Sequence, residues 1–130
     1  MRNFRKLRVW HLAHDLATRI GDSLPEQSCR RVPGLRSQIV RAANSIGANL
    51  AEGCGRATQR EFLNYINIAL GSLTELEGHL IRARDSQVMA DTTYTAFAEE
   101  LAVLSKMLLA LRRAVEQNVA IEENKKRDEQ

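Results

Sequence analysis

Aromatic residues, prolines and cysteines are scarce in this chain, and each scarcity closes off a class of protein. Aromatics make up 5% of the 130 residues, few for a fold built on strands, which favour aromatic and β-branched side chains. Two prolines, Pro25 and Pro33, and seven glycines interrupt the sequence, so long helices have room to run. The two cysteines, Cys29 and Cys54, stand far apart. They show neither the density of a disulfide scaffold nor the spacing of a metal site, and they read as free thiols of a reducing compartment. No apolar run approaches the roughly 20 residues that cross a bilayer. The basic N-terminus is followed by no apolar core of a secretory signal. The expectation is a cytoplasmic protein with no membrane attachment.

Apolar residues are not lacking. At 44% of the chain they suffice for one core, and the length suits one domain. Their spacing is helical. Val9, Ala13, Leu16 and Ile20 mark a first helix over about 6–24, stopped by Pro25. After a polar loop ending in Pro33-Gly34, Leu35, Ile39, Ala42, Ile46 and Leu50 mark a second over about 35–52. It is rich in small residues that admit close approach, and Gly53 and Gly55 read as its stop. Thr58-Gln59-Arg60-Glu61 reads as a capping box opening a third helix over 59–85, whose apolar seam is Phe62, Ile66, Ala69, Leu73, Leu76, Leu80 and Ala83. Asp91 is the expected N-cap of a fourth helix over 92–118, with Tyr94, Phe97, Leu101, Leu104, Leu108, Leu111 and Val115 on its seam. The polar stretch 119–130 is expected to be a disordered tail. Together these predict an all-α, antiparallel up-down-up-down four-helix bundle occupying residues 1–118. Leu63, Leu70, Val103 and Met107 widen the apolar stripes, which either thickens the core or favours self-association.

Catalytic chemistry finds little to stand on. His11 and His14 share a helix face beside Asp15, but no third or fourth zinc ligand follows in sequence. Gly53-Cys54-Gly55-Arg56 is a glycine turn without the preceding strand of a phosphate loop. Cys54, near Arg56 and the start of a helix, has the setting of a lowered thiol pKa but no histidine close in sequence to act as base. The expectation is no enzyme, no metal and no cofactor. Glu75 beside the third seam calls for a partner, and Arg41 is the natural one; Asn44, Asn49 and Ser72 join them in a candidate structural polar layer.

Charge carries the functional clue. Residues 1–60 hold 11 Lys/Arg against 4 Asp/Glu, a balance of +7; residues 61–130 hold 8 against 12, a balance of −4, which returns the net +3. Arg2, Arg5, Lys6 and Arg8 crowd the N-terminus, and Arg56 and Arg60 flank the start of the third helix, where free backbone N–H groups also favour anions. An antiparallel bundle brings both clusters to one end, a basic rim suited to RNA or DNA phosphates. The alternative is a scaffold whose charged halves serve subunit contacts and a protein partner.

Three ordered blocks carry a resemblance. Phe4-Arg5-Lys6-Leu7-Arg8-Val9-Trp10, then Gly34-Leu35 through Arg41-Ala42-Ala43-Asn44-Ser45-Ile46 and Asn49-Leu50-Ala51-Glu52-Gly53, then Ile68-Ala69-Leu70-Gly71-Ser72-Leu73 with Glu75-Leu76-Glu77, resemble the four-helix-bundle proteins encoded in intervening sequences of bacterial 23S rRNA genes. The likeness spans about residues 4–115. It implies a ring-like homopentamer and kinship with the accessory variability determinant of diversity-generating retroelements, a basic pentamer that works with a reverse transcriptase and nucleic acid. It implies no catalytic residue. His11 and the loop Cys29-Arg30-Arg31-Val32-Pro33 depart from the family pattern, without consequence for the fold.

Overall fold

A computed structural model describes residues 2–26 and 30–130. Cys29, expected to be a free thiol, lies outside them. A 3-10 turn, Phe4–Lys6, leads into α1 (Arg8–Asp22), α2 (Leu35–Cys54), α3 (Gln59–Asp85) and α4 (Asp91–Asp128). Each helix packs on the next in chain order, and α1 closes the cycle against α4. This is the expected antiparallel four-helix bundle. The buried residues of α3 are the seven named on its seam, each at most 2% exposed, so a strict four-three repeat became a continuous contact face. No polar or charged residue is buried among the described residues.

Local chemistry sets the ends. Asn3 caps the 3-10 turn by accepting from the Arg5 N–H at 3.1 Å. That turn takes in Lys6, where the sequence predicts the first helix to start, and α1 begins only at Arg8. Gly34 enters α2 at φ +81°, a left-handed conformation that glycine adopts without strain. Thr58 accepts from the Glu61 N–H at 3.1 Å, as a capping box requires, but its hydroxyl also donates to the Glu61 side chain at 3.2 Å in place of the backbone return. Asp91 is the first residue inside α4 and not its N-cap; that position falls to Ala90, which has no side-chain cap bond. Asp91 serves instead as a carboxylate in the first turn, where the helix dipole favours it.

Two expectations about the helix ends are corrected. Gly53 does not stop α2; it lies inside the helix, and Gly55 follows at φ −81°, an ordinary right-handed conformation. Gly53 is there because α3 passes too close for a side chain. A Cβ on it would sit 2.8 Å from Tyr65 Cβ and 2.9 Å from Phe62 Cδ1. The second correction is the tail: α4 runs 38 residues, to Asp128, or about 57 Å. Val119 is 5% exposed, and the polar residues beyond it engage α3. The apolar period fades there because charge contacts replace burial.

The glycines yield a paired prediction. Gly53→Ala is expected to destabilise by about 1–3 kcal/mol through overpacking against ring and backbone-linked carbon. Gly71→Ala and Gly78→Ala, with open space around the added carbon, are expected to stabilise by about 0.5–1 kcal/mol each through helix propensity. Urea denaturation of the three variants reads the opposite signs.

Candidate nucleic-acid interface

The N-terminal segment is ordered by contacts with the far end of the bundle's first half. The Arg2 N–H donates to the Cys54 carbonyl at 2.8 Å. Its guanidinium lies 5.0 Å over the Phe62 ring and donates to Gln59 Oε1 at 3.3 Å. Phe4 packs edge-on against Trp10 at 4.8 Å, and Arg5 sits 4.6 Å over the Phe4 ring. His11 Nε2 bonds the Arg5 carbonyl at 2.6 Å, which commits that nitrogen to donation and ties the segment to α1. The chain's first cationic cluster therefore lies beside the α2–α3 turn, as an antiparallel bundle demands. Arg2, Arg5, Lys6 and Arg8 are exposed, and none has a carboxylate partner among the described residues.

Arg56 and Arg60 fare differently. Arg56 donates to Glu52 at 2.6 Å and to the Tyr65 hydroxyl at 2.6 Å, with its guanidinium 5.0 Å over that ring. Arg60 Nε donates to Glu123 at 2.7 Å. That hydrogen bond raises the Arg60 pKa and holds the Glu123 carboxyl below its usual range. The start of α3 is not open to an anion either. The Gln59 N–H points at both oxygens of Glu122, each at 3.4 Å, and the Glu61 N–H is taken by Thr58. The protein's own carboxylates occupy the anion site that the sequence leaves free. The same docking of α4 carries Lys125, Lys126 and Arg127 to this end. Sequence reasoning misses them by assigning 119–130 to a tail.

The candidate polar layer divides in two. Ser45 Oγ and Ser72 Oγ meet at 2.7 Å, and Asn49 donates to the Ser45 carbonyl at 2.8 Å and hydroxyl at 2.9 Å. These half-buried groups bridge α2 and α3. Ser45, which joins them, is not singled out by the sequence pattern, although it lies four residues before Asn49. Arg41 does face Glu75, but at 3.6 Å with 71% and 45% of the side chains exposed. It is a surface pair that adds little to stability, not part of a buried layer. Cys54 reverses its expectation: burial pushes the thiol pKa up, and the charge of Arg2 only partly opposes it. His11 and His14 are engaged separately, His11 with the Arg5 carbonyl and His14 stacked on Trp10 at 4.9 Å.

The geometry is matched by family-level likeness. The model of the 23S rRNA-intervening sequence protein family matches residues 5–110. A crystal structure of a protein with unknown function from the S23 ribosomal protein family, from Bacteroides thetaiotaomicron, superposes with a TM-score of 0.71 at 23% identity, covering 80% of this chain and 97% of that one. At that identity the likeness speaks to the fold. No curated protein matches. None of the helices is long and apolar enough to cross a membrane among the described residues.

The docked end of α4 is open to test through its charge. Because Glu123 titrates below its unfolded value, its contribution is full above about pH 4, the ordinary carboxylate range, and is lost as pH falls through the lowered folded value. NMR secondary shifts of residues 119–128 are expected to be helical at neutral pH and low salt, and to move toward coil below about pH 4. Glu123→Gln is expected to show part of that fraying already at neutral pH. Coil shifts in the unmodified chain at neutral pH would overturn the docking.

Proposed function

We propose, from the premise that the chain belongs to the 23S rRNA-intervening sequence protein family, that it is a non-enzymatic homo-oligomer which binds RNA or DNA phosphates through its N-terminal segment. One observation carries the reading. Arg2, Arg5, Lys6 and Arg8 are exposed and carboxylate-free on a segment pinned to the bundle, whereas Arg56 and Arg60 are engaged by Glu52 and Glu123. Unpaired, pre-positioned cations lose little of their attraction to internal partners and release counterions on meeting a polyanion.

Self-association supports the affinity. Val103 is 53% and Ile121 65% exposed. With Ala110 and Ala114, both exposed, they recur at spacings of seven, four and seven on one face of α4. They lie on the side of α4 turned away from its buried seam of Leu101, Leu104, Leu108, Val115 and Val119, and an exposed apolar stripe of this kind favours self-association. A homopentamer of +3 chains carries +15, and multivalency multiplies a modest patch. The same stripe also favours a second reading, a scaffolding oligomer that binds a protein partner, such as a reverse transcriptase, and no nucleic acid.

Light scattering behind size exclusion, followed by binding of structured RNA and duplex DNA across a salt series, separates the two. The expected result is an oligomer whose affinity falls steeply with salt. Arg5→Ala and Arg8→Ala are each expected to reduce the magnitude of the log–log slope by about one per contacting protomer. Arg60→Ala is expected to have a smaller effect, because Glu123 already neutralises it. An oligomer that ignores both nucleic acids at low salt sinks the phosphate reading in favour of the scaffold.

A further inference from the structure

Beside the cationic segment, α1 and α2 enclose a groove of about 170 Å³, lined by Phe4, Trp10 and His14 on one side and by Asn44, Gly47 and Ala48 on the other. It is smaller than the sites that take drug-sized ligands, and suits one small ring system. Its aromatic wall is a column. Phe4 meets Trp10 edge-on at 4.8 Å, and His14 stacks nearly parallel on Trp10, 7° apart at 4.9 Å. His14 is exposed, and its second face carries no ring. The opposite wall is shallow because Gly47 lacks the Cβ that would stand 3.4 Å from Trp10 Nε1.

Three polar groups in this groove have no hydrogen-bond partner among the described residues: the Trp10 indole N–H, the His14 imidazole and the Asn44 amide. An aliphatic side chain seated here would leave all three unsatisfied, at a cost. A planar ring stacked on the free face of His14 would extend the aromatic column, and a polar ring edge suits the groove's remaining hydrogen-bonding groups better than an aliphatic chain does. Arg5, over the Phe4 ring, places positive charge where a strand attached to such a ring would carry phosphate. We infer that the Trp10–His14 groove is a stacking site for one nucleobase of a single-stranded nucleic acid. The inference deepens the phosphate-binding reading by giving the bound strand a second type of contact, one that does not distinguish sequence strongly.

Trp10 is the single tryptophan of the chain, so its fluorescence reports on this groove alone. Titration of the full oligomer with adenosine, with short oligo(A) RNA and with inorganic polyphosphate separates base from phosphate. Adenosine and oligo(A) are expected to quench Trp10 saturably, and polyphosphate is expected to bind without doing so. His14→Ala is expected to weaken oligo(A) binding by about tenfold while leaving polyphosphate binding unchanged. Ala48→Leu, at an exposed position on the shallow wall, is expected to block the quench in an intact oligomer. If neither adenosine nor oligo(A) quenches Trp10 in the folded protein, the site is refuted. If Ala48→Leu splits the oligomer and leaves the quench unchanged, the groove is a contact between copies and the inference also falls. If polyphosphate fails to bind while adenosine still quenches, the rim reading fails and the groove stands.

Discussion

The close passage of α3 over the end of α2 holds the N-terminal, cationic end of this molecule together. Gly53 lets the backbone of α2 lie against Phe62 and Tyr65, with no room for a further carbon. From that contact the rest follows. Phe62, so held, offers its ring to the Arg2 guanidinium, and the Cys54 carbonyl beside it accepts the Arg2 N–H. Tyr65, on the next turn of α3, takes Arg56 by hydroxyl and ring face. A larger residue at position 53 would push α3 away and loosen both arginines at once. The glycine is therefore a packing device whose consequences are electrostatic: it decides where the N-terminal cations stand.

The length of α4 is the second determinant. An α4 ending with its apolar seam would leave the start of α3 with free N–H groups and Arg60 without a partner, an open anion site. The additional turns bring Glu122 to the Gln59 N–H and Glu123 to Arg60. An intramolecular carboxylate at a helix start is always present at high local concentration, whereas an external phosphate must compete for the place. The same turns return Lys125, Lys126 and Arg127 to this end. The rim is thus rearranged more than it is neutralised: Glu122 and Glu123 of α4 cover the start of α3, the carboxylate-free cations stay on the N-terminal segment, and Lys125, Lys126 and Arg127 join them beside Asp128 and Glu129.

Elements with strong apolar periodicity were legible in the sequence. The α3 seam from Phe62 to Ala83 is buried at every named position, because a four-three repeat leaves a helix one face to bury. What misled was chemistry whose meaning depends on a partner distant in the chain. Gly53 and Gly55 look like a helix stop, and only the position of Phe62 and Tyr65 shows Gly53 to be a spacer. Residues 119–128 look like a tail, since nothing apolar holds them after Ile121; their partners, Gln59 and Arg60, lie about sixty residues away in sequence. Cys54 near Arg56 suggests a lowered thiol pKa, yet burial dominates and raises it. Arg41 and Glu75 do pair, but periodicity could not show that they meet at the surface. The aromatic column Phe4–Trp10–His14 had a visible signal, Trp10 and His14 four residues apart, but Phe4 joins it only through the 3-10 turn that displaces the start of α1.

Charge asymmetry along the chain is consequently a poor measure of charge asymmetry in space. The first half's +7 and the second half's −4 meet across the bundle wherever α1 faces α4 or α2 faces α3, and where Arg60, at the start of α3, meets α4. Arg19, in α1, is held by Glu100 at 2.5 Å as well as by Asp15 at 2.9 Å, and Arg60 is held by Glu123. Such pairs spend their fields on each other within a few ångströms, and salt removes most of what remains beyond about 8–10 Å. What a polyanion would meet is the local remainder: Arg2, Arg5, Lys6 and Arg8, which have no carboxylate partner among the described residues, while Glu52 and Glu123 pair with Arg56 and Arg60. Ordering makes that remainder useful. Arg2 is fixed by a backbone bond and a ring, and Arg5 by a ring and the His11 contact to its carbonyl. Cations anchored in this way sacrifice less freedom on binding than those of a loose basic arm. On the proposed reading, a chain with a net charge of only +3 suffices for phosphate binding, because affinity depends on which charges remain unpaired and how firmly they are held.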